Sequence, residues 1–321
     1  MSESNVLDLP VLIIGYSRVD SINKSVHKLI SMGVSQIFIA IDFASNLTVQ
    51  NEQRELVKNL NLYGNDRIKV WYRNRNHGVA VGIISALDWF FTDNERGVVL
   101  EDDLVFNYSF LEFCSSAFKN YSKENLFMIS GNRFNQSEQQ EFLAVTNYPQ
   151  IWGWATWREN WIEMRSLIIR SKKLKIWDSI SPSKCFFYSG AKRAQSGLID
   201  TWDIPLAYEM LKHKKICLLP PVNLVSNVGV DSHSSHTHNG GFPLNHRITI
   251  PRDFEFPEIS KLRATTREAN KFLEKRVFRV KLHHIASPIK LWIEGTFRLN
   301  LKTDVLPLNQ RLMEAESAPK I

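Results

Sequence analysis

Three consecutive carboxylates, Glu101-Asp102-Asp103, follow the apolar run Val98-Val-Leu100. Adjacent carboxylates repel one another unless a cation or hydrogen-bond donors stand among them. At the carboxyl end of a buried strand they can hold a hard divalent ion through oxygen ligands. Such an ion bridges diphosphate oxygens and stabilises charge developing on a leaving group. The competing reading is a solvated acidic turn, and the buried strand in front of the triplet argues against it. Asp42 also ends an apolar run, where a carboxylate needs donors. Asp200 and Asp203 precede an apolar helix; they share a helical face, or Asp200 is only the N-cap. His233, His236 and His238 cluster as metal-ligand histidines often do, or else line a polar loop. Arg18 suits phosphate or a nucleobase, or is a surface arginine ahead of a helix. Arg73 and Asn76-His77-Gly78 lead into a helix whose N-terminus is a candidate anion site.

Such side chains need a scaffold that gathers strand ends. Residues 10–15, 36–41, 67–72 and 97–100 are apolar runs of strand length. Between them Ile22, Val26, Leu29 and Ile30 recur at helical spacing, as do Leu56, Val57 and Leu60, and residues 79–91 read as a third helix. This alternation implies an α/β domain with a mostly parallel, Rossmann-like sheet covered by helices on both faces. Ligands bind such sheets at the carboxyl ends of the strands, where Arg18, Asp42, Arg73 and the acidic triplet fall. Residues 127–130 and 217–220 read as further strands, and 204–211 as a helix. Trp152, Trp154, Trp157 and Trp161 offer a sugar-stacking wall or plain core, and the last three also fit i, i+3, i+7 on a helix.

The chain has 321 residues, 44% hydrophobic and 23% charged, the proportions of a globular domain rather than a disordered chain. Its charge of +7 is unevenly placed. Residues 261–302 hold 11 Lys/Arg against 3 Asp/Glu, a net of +8, while residues 1–260 balance at 27 against 27. Uniform coating of nucleic acid is therefore not expected. Cys114, Cys185 and Cys217 lie far apart with no CxxC spacing, which argues against a cysteine zinc site and suits a reducing compartment. With no basic leader and no apolar stretch of about 18 residues, a cytoplasmic protein without a membrane-spanning helix is expected.

Taken in order, these segments resemble a known family. Gly97-Val-Val-Leu-Glu-Asp-Asp-Leu104, with Phe106 and Phe110-Leu-Glu-Phe113, resembles the acidic signature of N-acetylglucosaminyltransferase I and related bacterial sugar transferases of the GT-A fold. Leu9-Pro-Val-Leu-Ile-Ile-Gly-Tyr-Ser-Arg18 is similar to that family's first strand and nucleotide loop. Ser130-Gly-Asn132, Gly153-Trp154, Trp202-Asp203 and Asn223-Leu-Val-Ser-Asn-Val-Gly229 through His236-Thr237 follow in the family's order, so that residues 9–240 are covered. The resemblance implies metal-dependent, inverting transfer from a nucleotide sugar, with UDP-N-acetylglucosamine favoured as donor and Mn2+ or Mg2+ as cofactor. The acceptor implied is a hydroxyl of a bacterial glycan or a lipid-linked oligosaccharide. It makes Asp103 the principal metal ligand, joined by His236, with His233 second. It sets Asp102 near the ribose, Glu101 and Asp42 near the base, and Trp154 at the sugar. Asp203 becomes the base that deprotonates the acceptor, with Asp200 as rival. Inversion needs no enzyme nucleophile, which fits the lack of a Ser/His/Asp or Cys/His signature. A sugar nucleotidyltransferase is the second reading, although Gly15-Tyr-Ser-Arg18 is poor in the glycine and basic residues that such chemistry uses. A non-catalytic nucleotide- or carbohydrate-binding protein of the same fold is the third.

The positive excess divides the chain into a catalytic domain, residues 1–258, and a basic helical segment, residues 259–321. Leu273, Val277, Val280 and His284 recur at helical spacing among lysines and arginines, with Pro288 breaking the pattern. Residues 261–302 either touch anionic lipid at the inner face of the membrane or form a helix packed on the domain.

Overall fold

The structure, a computed structural model, describes residues 8–62, 66–134, 143–170, 181–228, 256–290, 306–315 and 318–319. Its first half is a run of β–α units: β1 (Val11–Gly15), α1 (Val19–Ser31), β2 (Ile37–Ile41), α2 (Leu47–Leu62), β3 (Ile68–Tyr72), α3 (Gly78–Asp93) and β4 (Arg96–Glu101). There follow β5 (Leu104–Phe106), α4 (Tyr108–Asn120), β6 (Met128–Ser130), β7 (Ala144–Thr146), β8 (Trp154–Trp157), α5 (Arg158–Arg170), α6 (Pro182–Gln195), α7 (Asp203–His213), β9 (Cys217–Leu219) and β10 (Val225–Asn227). The described C-terminal elements are α8 (Ile259–Arg263), α9 (Thr266–Phe272), a π-helical turn (Leu273–Val277), a 3-10 turn (Leu282–Ala286) and α10 (Leu308–Met313).

Eight strands form one sheet in the order β3-β2-β1-β4-β8-β6-β9-β7, and β10 pairs with β5 in a separate ribbon. β1, β2, β3 and β4 are mutually parallel, β6 and β9 are parallel, and β8 and β7 run antiparallel to their neighbours. The sheet is therefore mostly parallel. Side chains alternate between its faces as the pleat requires. Val11 and Ile13 of β1 join one core with Ile22, Val26 and Leu29 of α1 and Phe110 and Phe113 of α4. Leu12 faces the other core, with Ile84, Leu87 and Phe90 of α3, Trp161 of α5 and Leu206 of α7. Burial on both faces explains why these strands read as unbroken apolar runs.

Two expectations are corrected. Trp154 and Trp157 do not lie on a helix with Trp161. They bound β8, which inserts antiparallel between β4 and β6, and Trp161 belongs to the helix after it. The basic segment also does not run as one helix to Pro288. It breaks at Arg279, whose φ is +51°. The turn is closed by Phe278 N–H to the carbonyl of Leu273 at 2.9 Å and Val280 N–H to that of Glu274 at 2.8 Å. This satisfies the last carbonyls by a left-handed exit.

The C-terminal elements pack on the domain. Leu262, Leu273 and Leu308 are buried among residues from earlier in the chain. The Thr265 hydroxyl accepts from Val145 N–H at 3.0 Å, and the Tyr148 hydroxyl donates to Glu274 at 2.6 Å. Among the described residues no helix is long and apolar enough to cross a membrane.

Candidate active site

Parallel register brings the strand ends of β1, β2, β3 and β4 to one edge. Asp42 N–H donates to the Gly15 carbonyl at 2.9 Å, Asp102 N–H to that of Ile14 at 3.0 Å, and Arg73 N–H to that of Ile41 at 3.1 Å. The residues that follow the strands are thus neighbours because the sheet is parallel, although they are far apart in the chain.

The acidic turn divides its labour. Asp102 is buried, and its two oxygens accept from Tyr16 N–H at 2.8 Å and from the Arg18 guanidinium at 2.9 Å. Arg18 also reaches Asp103, at 3.8 Å. Asp103 is held by the β5–β10 ribbon: its carbonyl accepts from Val228 N–H at 2.8 Å, and its carboxylate accepts from the Asn227 side chain. Its Oδ1 is buried with no hydrogen-bond partner. Burial raises the Asp103 pKa, and the charge on Asp102 adds to this, against the pull of Arg18. Burial raises Glu101 well above the usual carboxylate range, reinforced by the charges on Asp103, Asp102 and Asp203. That last influence sets Asp203 within electrostatic reach of Glu101, across a gap of about 100 residues in sequence.

A raised carboxyl pKa means that the folded chain binds the proton more tightly than the unfolded one. The stability that this linkage contributes is complete below the ordinary glutamate pKa and is lost as pH rises through the raised value. In EDTA-treated protein, Glu101→Gln removes the effect. Its melting temperature therefore gains on the wild type as pH goes from about 5 to about 8. A difference that stays flat over that range contradicts the assignment.

Asp42 faces inward. Both its oxygens accept from His77 N–H, at 3.1 and 3.0 Å, and Oδ1 also from Phe43 N–H at 3.1 Å. Burial raises its pKa, with these amides and nearby Arg73 opposing. Arg73 is corrected from a donor-binding residue to a clamp. It is only 2% exposed, lies 4.2 Å over the Trp71 ring, and donates to the Ser85 hydroxyl and the Gly82 carbonyl, each at 2.8 Å. Its guanidinium thus lies against α3, where Ser85 and Gly82 accept from it. Trp154 is corrected in the same way. It is 1% exposed and stacks on Trp202 with ring centroids 5.7 Å apart. Its ring braces the residue before Asp203 and lies too deep to reach a sugar directly.

Asp203 opens α7, and its Oδ1 accepts a hydrogen bond from the Thr201 hydroxyl. Asp200 is fully committed elsewhere. Its Oδ2 accepts from Val79 N–H at 2.7 Å, and its Oδ1 from Ala80 N–H at 3.3 Å and from Arg311 of α10 at 3.0 Å. It therefore caps α3, a helix other than the one it precedes, and fills the N-terminus that reads as an anion site in the sequence. Gly78, at φ +75°, leaves the room: a Cβ there would stand 2.5 Å from Asp200 Oδ2. The sequence carries no sign of this contact, because its partners are about 120 residues away. Asn227 was equally missed, although it lies inside the quoted 223–229 stretch.

His233, His236 and His238 lie outside the described residues. Among the described residues no group of three or more His, Cys, Asp or Glu side chains is placed to hold a metal ion. The three cysteines are buried, and burial raises each thiol pKa, so none is an activated nucleophile.

No family profile matches the chain, and no curated protein matches it. Among solved structures it is similar to a mannosyltransferase from Pyrobaculum calidifontis in complex with GDP-Man and Mn2+, with 14% identity, a TM-score of 0.34, and coverage of 47% of this chain and 44% of that one. It is also similar to a UDP-glucose pyrophosphorylase complexed with UDP-glucose, with 10% identity, a TM-score of 0.35, and coverage of 66% and 89%. The chain thus spans less than half the length of the mannosyltransferase. The α/β assignment rests on the strand order itself.

Proposed function

We propose that this protein transfers a sugar from a nucleotide-sugar donor to a hydroxyl of a bacterial glycan or lipid-linked acceptor, inverting the anomeric carbon. A UDP-sugar is the expected donor class, with UDP-N-acetylglucosamine first. One observation carries this reading: Asp103, in the acidic turn after β4, keeps a buried oxygen with no hydrogen-bond partner while Arg18 holds its neighbour Asp102. Inversion needs a proton acceptor on one side and a stabilised leaving group on the other.

The oxygen chemistry of Asp103 suits a hard divalent ion such as Mn2+ or Mg2+, with His236 as the second ligand that the family resemblance implies. Such an ion, when bound, neutralises the diphosphate as it leaves. Arg18 orients Asp102 and Asp103. Asp203 takes the proton from the acceptor hydroxyl. The freed oxygen bonds the anomeric carbon as the bond from that carbon to the diphosphate breaks, and the electron pair leaves with the nucleoside diphosphate. Trp202, stacked on Trp154, holds Asp203 at the helix start.

The test is thermal stabilisation by a panel of nucleotide sugars with Mn2+. A donor at about 100 times its Kd adds about 2.7 kcal/mol. We expect a UDP-sugar to do this for the wild type and not for Asp103→Ala. Equal stabilisation of both proteins rejects the assigned role. Pyrophosphate release from a nucleoside triphosphate would mark a nucleotidyltransferase instead.

A further inference from the structure

The 3-10 turn Leu282–Ala286 runs into a helical stretch at residues 287–290. Its apolar side faces outward. Leu282 is 77% exposed, Ile285 44% and Ile289 63%. Their spacing of i, i+3 and i+7 puts them on one face. The inner face is occupied, since the His284 ring packs 4.8 Å from that of Phe186 on α6. A surface helix normally buries its apolar stripe, and here the arrangement is inverted. Exposed Arg279, Lys281 and Lys290 flank the three apolar side chains. The whole segment 261–302 carries +8, on a chain whose first 260 residues are neutral.

We propose that Leu282, Ile285 and Ile289, with these cations beside them in the chain, form a docking face for an anionic lipid surface. Apolar side chains that insert at the headgroup boundary, with lysine and arginine beside them, are what binds a helix in the plane of a membrane. A protein partner would be expected to meet apolar side chains with a neutral or mixed-charge rim. Among the described residues, the charged ones beside these three in the chain, Arg279, Lys281 and Lys290, are all basic, which favours lipid phosphate. The face goes beyond the transfer reading and does not depend on it, although α6 packs against both this turn and α7, whose first residue is Asp203.

The test is co-sedimentation of the full chain with phosphatidylcholine vesicles, with and without about one third phosphatidylglycerol. The wild type should pellet with the anionic vesicles only, and less as salt rises. Leu282→Ser/Ile285→Ser/Ile289→Ser should lower that binding by about tenfold or more. Lys281→Ser/Lys290→Ser should lower it and flatten its salt dependence. These side chains are exposed, so melting temperatures should stay at the wild-type value. If the triple variant melts early, the lysine pair and the salt series decide the question alone. Wild-type protein that ignores anionic vesicles, or a triple variant that binds as the wild type does, overturns the proposal. So does a wild-type dimer that the triple substitution turns into a monomer without any vesicle binding, because the face would then belong to a second copy.

Discussion

Asp203→Asn is expected to lower sugar transfer by about 10²- to 10⁴-fold, the range for loss of a general base, and to leave the fold intact. Asparagine is isosteric and can still accept from the Thr201 hydroxyl that reaches Oδ1, so the start of α7 keeps its geometry. What it cannot do is take a proton. On the proposed assignment, in which Asp103 and its neighbours hold the donor, the loss should fall on kcat with little change in KM for the donor. Binding of the nucleoside diphosphate, measured separately, should be unchanged. Full transfer activity in this variant would remove Asp203 from the chemistry and leave the base unassigned.

Asp200→Ala should do the reverse. It removes the acceptor for Val79 and Ala80 N–H and strands Arg311, whose Nε and Nη2 are already buried without partners. Each lost cap interaction is worth about 1 kcal/mol. The broken ion pair adds to that, discounted because the Asp200 side chain is 36% exposed. A total of about 2–4 kcal/mol is expected, or a melting temperature lower by roughly 5–10 °C. Activity should return when the assay is cooled below the new transition, which that of Asp203→Asn should not. An unchanged melting temperature would show that the cap contributes nothing. Two aspartates three positions apart thus separate in a single pair of experiments, one by rate and the other by stability.

Much of the scaffold was legible because the central strands β1, β2 and β4 are buried on both faces and helices such as α1 on one. Apolar runs and i, i+3, i+4 spacings report that burial directly. The acidic triplet and Asp42 were legible because polar residues that end buried strands have few reasons to be there. Arg73 misled because a strand-end arginine looks the same whether it faces a ligand or, as here, a tryptophan ring and a helix carbonyl. Trp154 misled because a Gly-Trp pair looks the same whether the ring faces a sugar or, as here, stacks on Trp202, and the four-residue strand Trp-Ala-Thr-Trp is too short to show a period of two. Asp200 could not be assigned from the sequence. Its nearest helix is α7, and only the tertiary fold carries it to α3.

That cap has a consequence for the order of assembly. The Asp200 carboxylate joins residue 79 across 121 positions and residue 311 across 111, whereas β1, β2 and β3 meet through single helical crossovers. Closing long loops is the entropically slow part of folding. The β1–β3 half of the sheet can therefore form early and locally, and the contacts that set α3 against the start of α7 are completed late. The chain acquires its sheet before it sets the start of α7, and in partial unfolding it would surrender them in the opposite order.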